Sequence, residues 1–245
     1  MLSKTRGIVL KTTNYAESSI IAQIFTESFG LQSYIVNGVR GKKPKQHSSL
    51  FQPLTLLELV VYHKQNGGIQ RISEIKNDPP YSTIPYQITK SSIALFLNEI
   101  LYKTLRNQQA DEKIFGFLTN SLQVFDLAES GINYFHLHFL IQLTRYLGFY
   151  PEGKQGISTP YLDLESGSFV SSTRELKYSM DSDESAMLYY FLNQPLTEIN
   201  LTIPFLQSKR MRKNLLHKLV LFYQLHTADF GSLNSLDVLE EVFGE

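Results

Sequence analysis

The sequence predicts an α+β multidomain protein, an N-terminal five-stranded β-barrel followed by a mainly α-helical domain with a small β-hairpin insertion. Three observations predict it. Up to about residue 76, apolar residues come in short runs separated by glycine turns. At Asp78-Pro79-Pro80, followed by Pro85, the chain meets a break that neither a strand ladder nor a helix interior tolerates. Beyond it the apolar period becomes 3.6 residues. The expected domains are 1–78 and 79–245, with a hairpin module at about 152–173.

The strands follow in order. Gly7-Ile8-Val9-Leu10 opens the first, and Ile20, Ile21, Ile24 and Phe25 carry the second up to the Ser28-Phe29-Gly30 turn. Leu31–Val39 is the third and Leu54–His63 the fourth. Gly67-Gly68 turns the chain into Ile69–Ile75, where Ile69, Arg71, Ser73 and Ile75 alternate with Gln70, Ile72 and Glu74. Five short strands in about 75 residues fit a small closed barrel, of which the five-stranded OB-fold is the commonest form. An SH3-like barrel is the rival, and periodicity does not separate them.

The helices are as legible. Ile84–Leu105 keeps a 3.6-residue period. Asp111 caps a second helix whose apolar face is Ile114, Phe115, Leu118, Leu122 and Phe125. Ile132–Leu147 is a third, ended by Gly148 and Pro151. Gly153, Gly156, Pro160 and Gly167 then exclude helix, and Tyr161–Val170 reads as a hairpin about Glu165-Ser166-Gly167. Helix resumes at Ser182–Leu192, then at Phe205–Thr227 with Met211, Leu215, Leu219 and Phe222 expected inward, and ends at Ser235–Phe243.

Composition narrows the function classes. The chain has 245 residues, 42% hydrophobic, with 23 Lys+Arg against 23 Asp+Glu. The balance hides an asymmetry: ten Lys and Arg face five Asp and Glu through Asp78, so the front is basic and the remainder acidic. With no cysteine, disulfides and thiolate metal sites are excluded. The first fifteen residues lack the apolar run of a signal peptide, and no window has the apolar length to cross a bilayer. A cytoplasmic protein with no membrane partner is expected.

Chemistry concentrates in one stretch. Tyr34–Lys45 ends a strand in Asn37-Gly38 and then places Arg40, Lys42, Lys43 and Lys45 among Gly41 and Pro44. Cations this dense need solvent or anionic partners. A basic loop on an OB barrel, with aromatics nearby, suits a single-stranded nucleic acid. Tyr34 and Tyr62 are the expected stacking rings, and Arg6 and Lys11 the supporting cations. A second basic cluster, Lys209, Arg210, Arg212 and Lys213, opens the last long helix. It is either a solvated face or a site for an acidic peptide or further DNA.

Catalytic patterns are missing. There is no phosphate-binding loop with Lys-Ser or Lys-Thr, and no Gly-x-Ser-x-Gly elbow. His136 and His138 are two apart on a helix, where a metal pair wants four, so packing or surface roles are expected. Asp163 and Glu165 fall on one side of the hairpin, as exposed hairpin carboxylates often do. The expectation is a non-enzyme with no metal and no cofactor.

The order of short motifs resembles the bacterial recombination and repair mediator family RecO. Thr5-Arg6-Gly7-Ile8-Val9-Leu10-Lys11 and Tyr15-Ala16-Glu17-Ser18-Ser19 resemble its first strand and turn. Ile24-Phe25-Thr26 through Phe29-Gly30 resembles its second strand, and Asn37-Gly38-Val39-Arg40-Gly41-Lys42-Lys43 its basic loop. Leu50-Phe51-Gln52-Pro53-Leu54, Asn98-Glu99-Ile100-Leu101, Leu147-Gly148-Phe149-Tyr150-Pro151 and Phe230-Gly231-Ser232-Leu233-Asn234-Ser235-Leu236 are similar to later landmarks.

The resemblance implies an OB domain and a helical domain in a protein that binds single- and double-stranded DNA. It implies ATP-independent annealing of complementary strands, and location in the cytoplasm, on the nucleoid when DNA is bound. It also implies partnership with RecR and with the C-terminal tail of single-stranded-DNA-binding protein, so that RecA is loaded. Many family members carry four zinc-binding cysteines after the Leu-Gly-x-x-Pro motif. Here 152–173 has none, so the hairpin is expected to pack without zinc. The rival readings are a protein-interaction scaffold with no direct DNA role and a nuclease using Asp163 and Glu165.

Overall fold

The computed structural model describes residues 2–39, 48–64, 67–196 and 208–244. They form two compact units, 1–126 and 127–245.

The first unit is built on β1 (Leu2–Tyr15), β2 (Ser19–Thr26), β3 (Gly30–Val36), β4 (Leu56–Tyr62) and β5 (Gln70–Asn77), closed into a barrel in the order β1-β2-β3-β5-β4. β3 and β5 are parallel neighbours, and the other pairs are antiparallel. This five-stranded closed barrel is the OB arrangement. Closure depends on β1, which pairs with β4 from Leu2 to Ile8 and with β2 from Gly7 to Tyr15. A register shift between Val9 and Lys11 re-aims its second half. The strands cross closely at Gly7, where a Cβ would stand 2.5 Å from Cγ2 of Ile24.

Alternation fills the barrel. Ile20, Ala22 and Ile24 of β2, Tyr34 and Val36 of β3, and Leu57, Leu59 and Val61 of β4 turn inward with Val9, Val39 and Phe51. Phe51 comes from a short 3-10 turn, Ser48–Phe51.

Two helices join the barrel in this unit: α1 (Ile88–Leu105) and α2 (Glu112–Leu127). Asp111 caps α2, its Oδ1 accepting from the N–H of Lys113 at 2.7 Å and of Ile114 at 3.0 Å. α1 donates from Asn98 Nδ2 to the carbonyl of Leu10 at 2.8 Å. α2 sets Phe115 against Phe25, ring centroids 6.3 Å apart. The last barrel strand stops at Asn77, just before Asp78-Pro79-Pro80, and both helices pack on the barrel within the first compact unit.

The second unit holds α3 (Ile132–Leu147), β6 (Tyr161–Asp163), β7 (Ser168–Val170), β8 (Ser179–Met180), α4 (Ser182–Leu192), α5 (Lys209–His226) and α6 (Ser235–Phe243). α3 is buried on several faces and ends at Gly148 (φ +85°), whose N–H donates to the Thr144 carbonyl. The Tyr223 hydroxyl of α5 donates to the buried carbonyl of Leu140 at 2.8 Å. The hairpin β6–β7 gains β8 as a third strand against β6. Asp163 is buried in it, with Oδ1 accepting from the N–H of Glu165 at 3.0 Å, so this carboxylate shapes the turn. Asp181 and Glu184 close a capping box at the start of α4.

Candidate nucleic-acid interface

The outer surface of the barrel is partly covered. Phe115 of α2 occupies one end against Phe25, and α1 reaches Leu10. What stays open follows from strand register. Thr13 pairs with Ile21, Ile21 with Ile35, Ile35 with Arg71, and Arg71 with Tyr62. Direct partners share a face, and all five are exposed or half-buried while their strand neighbours Ile20, Ala22, Tyr34 and Val61 are buried. A second row, Lys11–Gln23–Ser33, runs beside it. The open face is therefore apolar at its centre, with a cation on each flank. In OB barrels the face of strands 2 and 3 and its flanking loops take oligonucleotides.

The basic segment leaves from one end of this face. Val39 donates its N–H to the Ser18 carbonyl at 3.0 Å, and the Ser19 hydroxyl donates to Asn37 Oδ1 at 2.9 Å. These bonds tie the β1–β2 turn to the root of the segment, and half-exposed Tyr15 sits opposite Ser19. Arg40, Lys42, Lys43 and Lys45 themselves lie outside the described residues.

The other expected contacts divide. Tyr62 is 51% exposed and stands in the open row. Lys11 is exposed, its Nζ 4.8 Å from the ring centroid of Tyr102. Arg6 is already engaged: Nη2 lies 2.5 Å from Glu27 Oε1, and its guanidinium sits 5.2 Å from the Phe115 centroid. The hydrogen bond to Glu27 holds Arg6 above its ordinary value, and that from Arg6 holds Glu27 below. Tyr34 needs correction. It is fully buried in the barrel core, and burial pushes its hydroxyl well above the ordinary value, so no face of the ring is open to a base. The open row also contains Ile21, Ile35 and Arg71, which sequence reading did not select. The alternation Ile69–Ile75 was a local signal for Arg71, and none marked Ile21 or Ile35.

The second basic cluster is not one surface. Lys209 and Arg210 are exposed in the first turn of α5. Arg212 is 6% exposed, with its guanidinium 5.3 Å from the Tyr134 centroid. Lys213 Nζ is held 2.9 Å from Glu240 Oε2. Leu215, Leu219 and Phe222 are buried as expected, but Met211 at the start of the helix is only half-buried and Arg212 is inside. His136 and His138 are both core residues. Burial, with the Arg212 charge beside it, lowers His136 to about 3, and burial lowers His138 to about 4. Among the described residues, no group of three or more His, Asp or Glu is placed to hold a metal ion.

A closed five-stranded barrel with an open apolar face between cations, followed by a helical unit, defines a two-unit protein of the OB-barrel class. Comparison makes this specific. Residues 1–77 match the family model described as Recombination protein O N terminal, and 85–231 match Recombination protein O C terminal. The chain is 36% identical over 244 residues to a DNA repair protein RecO of Bacteroides fragilis, covering 99% of this chain and 100% of that one. It is 34% identical over 243 residues to the DNA repair protein RecO of Phocaeicola vulgatus and 34% over 247 to that of Flavobacterium johnsoniae, each covering 99% of this chain and 100% of the relative. The chain belongs to the RecO family, whose role is in DNA repair and recombination. No helix among the described residues is long and apolar enough to cross a membrane.

Proposed function

We propose that the protein is a non-enzymatic recombination mediator. It binds single- and double-stranded DNA, anneals complementary strands without ATP and, with RecR, helps load RecA onto DNA coated by single-stranded-DNA-binding protein. The observation that carries this reading is the open barrel face ending where Asn37–Val39 launch the basic segment. Arg40, Lys42, Lys43 and Lys45 neutralise phosphates, with Lys11 and Arg71 on the flanks of the face. Annealing then needs no fuel, because pairing supplies the free energy once two strands are held with their charge neutralised. Lys209 and Arg210 are the cations left for an acidic protein tail.

The test is fluorescence anisotropy of a labelled single strand across a salt series, using wild type and the fourfold Arg40/Lys42/Lys43/Lys45→Ala variant. Weaker binding with a shallower salt slope in the variant supports the reading. Equal binding moves the phosphate grip elsewhere, and no binding by wild type favours a protein-interaction scaffold. Annealing of complementary labelled strands without nucleotide tests the second half.

A further inference from the structure

Resting on that DNA-binding reading, we infer that Ile21 and Ile35, with Tyr62 at the end of their row, make the barrel discriminate single strands from duplexes. The pair stands side by side on β2 and β3, outward and half-buried. Gln23 and Ser33, beside the pair on the same two strands in the second row, are uncharged. The cations stand outside this centre, Lys11 on β1 and Arg71 on β5. Three strand spacings separate those two strands, about 14 Å at ~4.8 Å each.

An uncharged apolar centre gains nothing from a phosphate and desolvates it if one is pressed there. It gains from the flat apolar face of a base. A single strand can turn bases onto Ile21 and Ile35, and onto Tyr62 on the far side of Arg71, while its phosphates reach Lys11 and Arg71. A duplex keeps its bases stacked inside and presents sugar and phosphate, so it meets only the cations. The same centre would release a strand once its bases pair, since pairing withdraws the faces it holds.

The experiment compares full-length wild type with the Ile21→Thr/Ile35→Thr double variant, on one labelled oligonucleotide and on its duplex, across a salt series. Threonine keeps the β-branched shape the strands favour. The expected result is a loss on the order of tenfold for the single strand and less than about twofold for the duplex. The salt slope stays unchanged because no cation is removed. Tyr62→Ser, at an exposed position that puts little folding at risk, should follow the same pattern, and Tyr62→Phe should not. Equal loss on both DNA forms, or no loss on the single strand, overturns the inference while leaving the DNA reading in place. Wild type binding neither form overturns both.

Discussion

The Nζ of Lys90 lies 2.8 Å from the backbone carbonyl oxygen of Asp126, and both side chains are buried. Lys90 also donates to the Thr83 hydroxyl at 2.7 Å. The Asp126 carboxylate in turn accepts from the N–H of Ser82, Thr83 and Ile84 at 2.7–2.9 Å and from the Ser82 hydroxyl. The segment after the paired prolines is thus fastened to the end of α2. Burial opposes the Asp126 charge, but these hydrogen bonds outweigh it and lower the carboxyl from 3.8 to about 2.

Asp126→Asn should therefore destabilise the protein by about 2–4 kcal/mol, because an amide nitrogen would face N–H groups that need an acceptor. The pH dependence follows from the lowered value. The contribution, about 2 kcal/mol, is complete above the unfolded carboxyl range and is lost as pH falls from roughly 5 towards 2. Urea melts of wild type and variant between pH 2 and 7 check both statements. The wild-type advantage should shrink as acid is added.

Glu240 links α6 to α5 through Lys213 at 2.9 Å and His217 at 2.6 Å. Burial raises its carboxyl, and the interactions with Lys213 and His217 more than compensate, so it sits below the ordinary value. Lys213 and His217 are substantially exposed, so Glu240→Gln should cost no more than about 1 kcal/mol. The contribution is present above the unfolded carboxyl value and disappears as pH falls through the folded one. Faster hydrogen exchange in α6 of the variant is the readout.

Arg71 and Arg6 should behave differently. Arg71→Ala removes a cation from the open face and should reduce the single-strand salt slope by about 0.7. Arg6→Ala breaks an ion pair with Glu27 and should leave that slope nearly unchanged, at a stability cost below about 1 kcal/mol. Anisotropy titrations at several salt concentrations distinguish them.

Tyr34→Phe should leave DNA affinity unaltered, because the ring is enclosed by the barrel. A clear loss of single-strand binding at constant stability would contradict that placement.

Much of the architecture could be read from the chain because its punctuation is strong. Gly148 stops α3, Asp111 starts α2, and the prolines after Asp78 end the strands. Faces were harder. Tyr34 and Ile35 differ by one residue, and nothing local says which points inward; the answer came from partners on β2 and β5. Arg71 becomes a site residue only beside Ile35, from which it is far in sequence. In α5 the inward stripe Leu215, Leu219 and Phe222 was legible, but the burial of Arg212 beside half-buried Met211 was not, because it depends on the Tyr134 ring of α3. β8 has two residues and carries no recognisable period.

The double duty of β1 shapes how the chain is made. Its second half can pair with β2 at once, but its first half waits for β4, since register places Leu2 opposite Tyr62. A growing chain that stops short of β4 therefore leaves the edge of its earliest strand open to other chains. Closure is a long-range contact and belongs to the slow part of folding. The segment synthesised first must wait for β4 to find all its partners, and the barrel becomes safe from strand exchange only after β5 has joined β3 to β4.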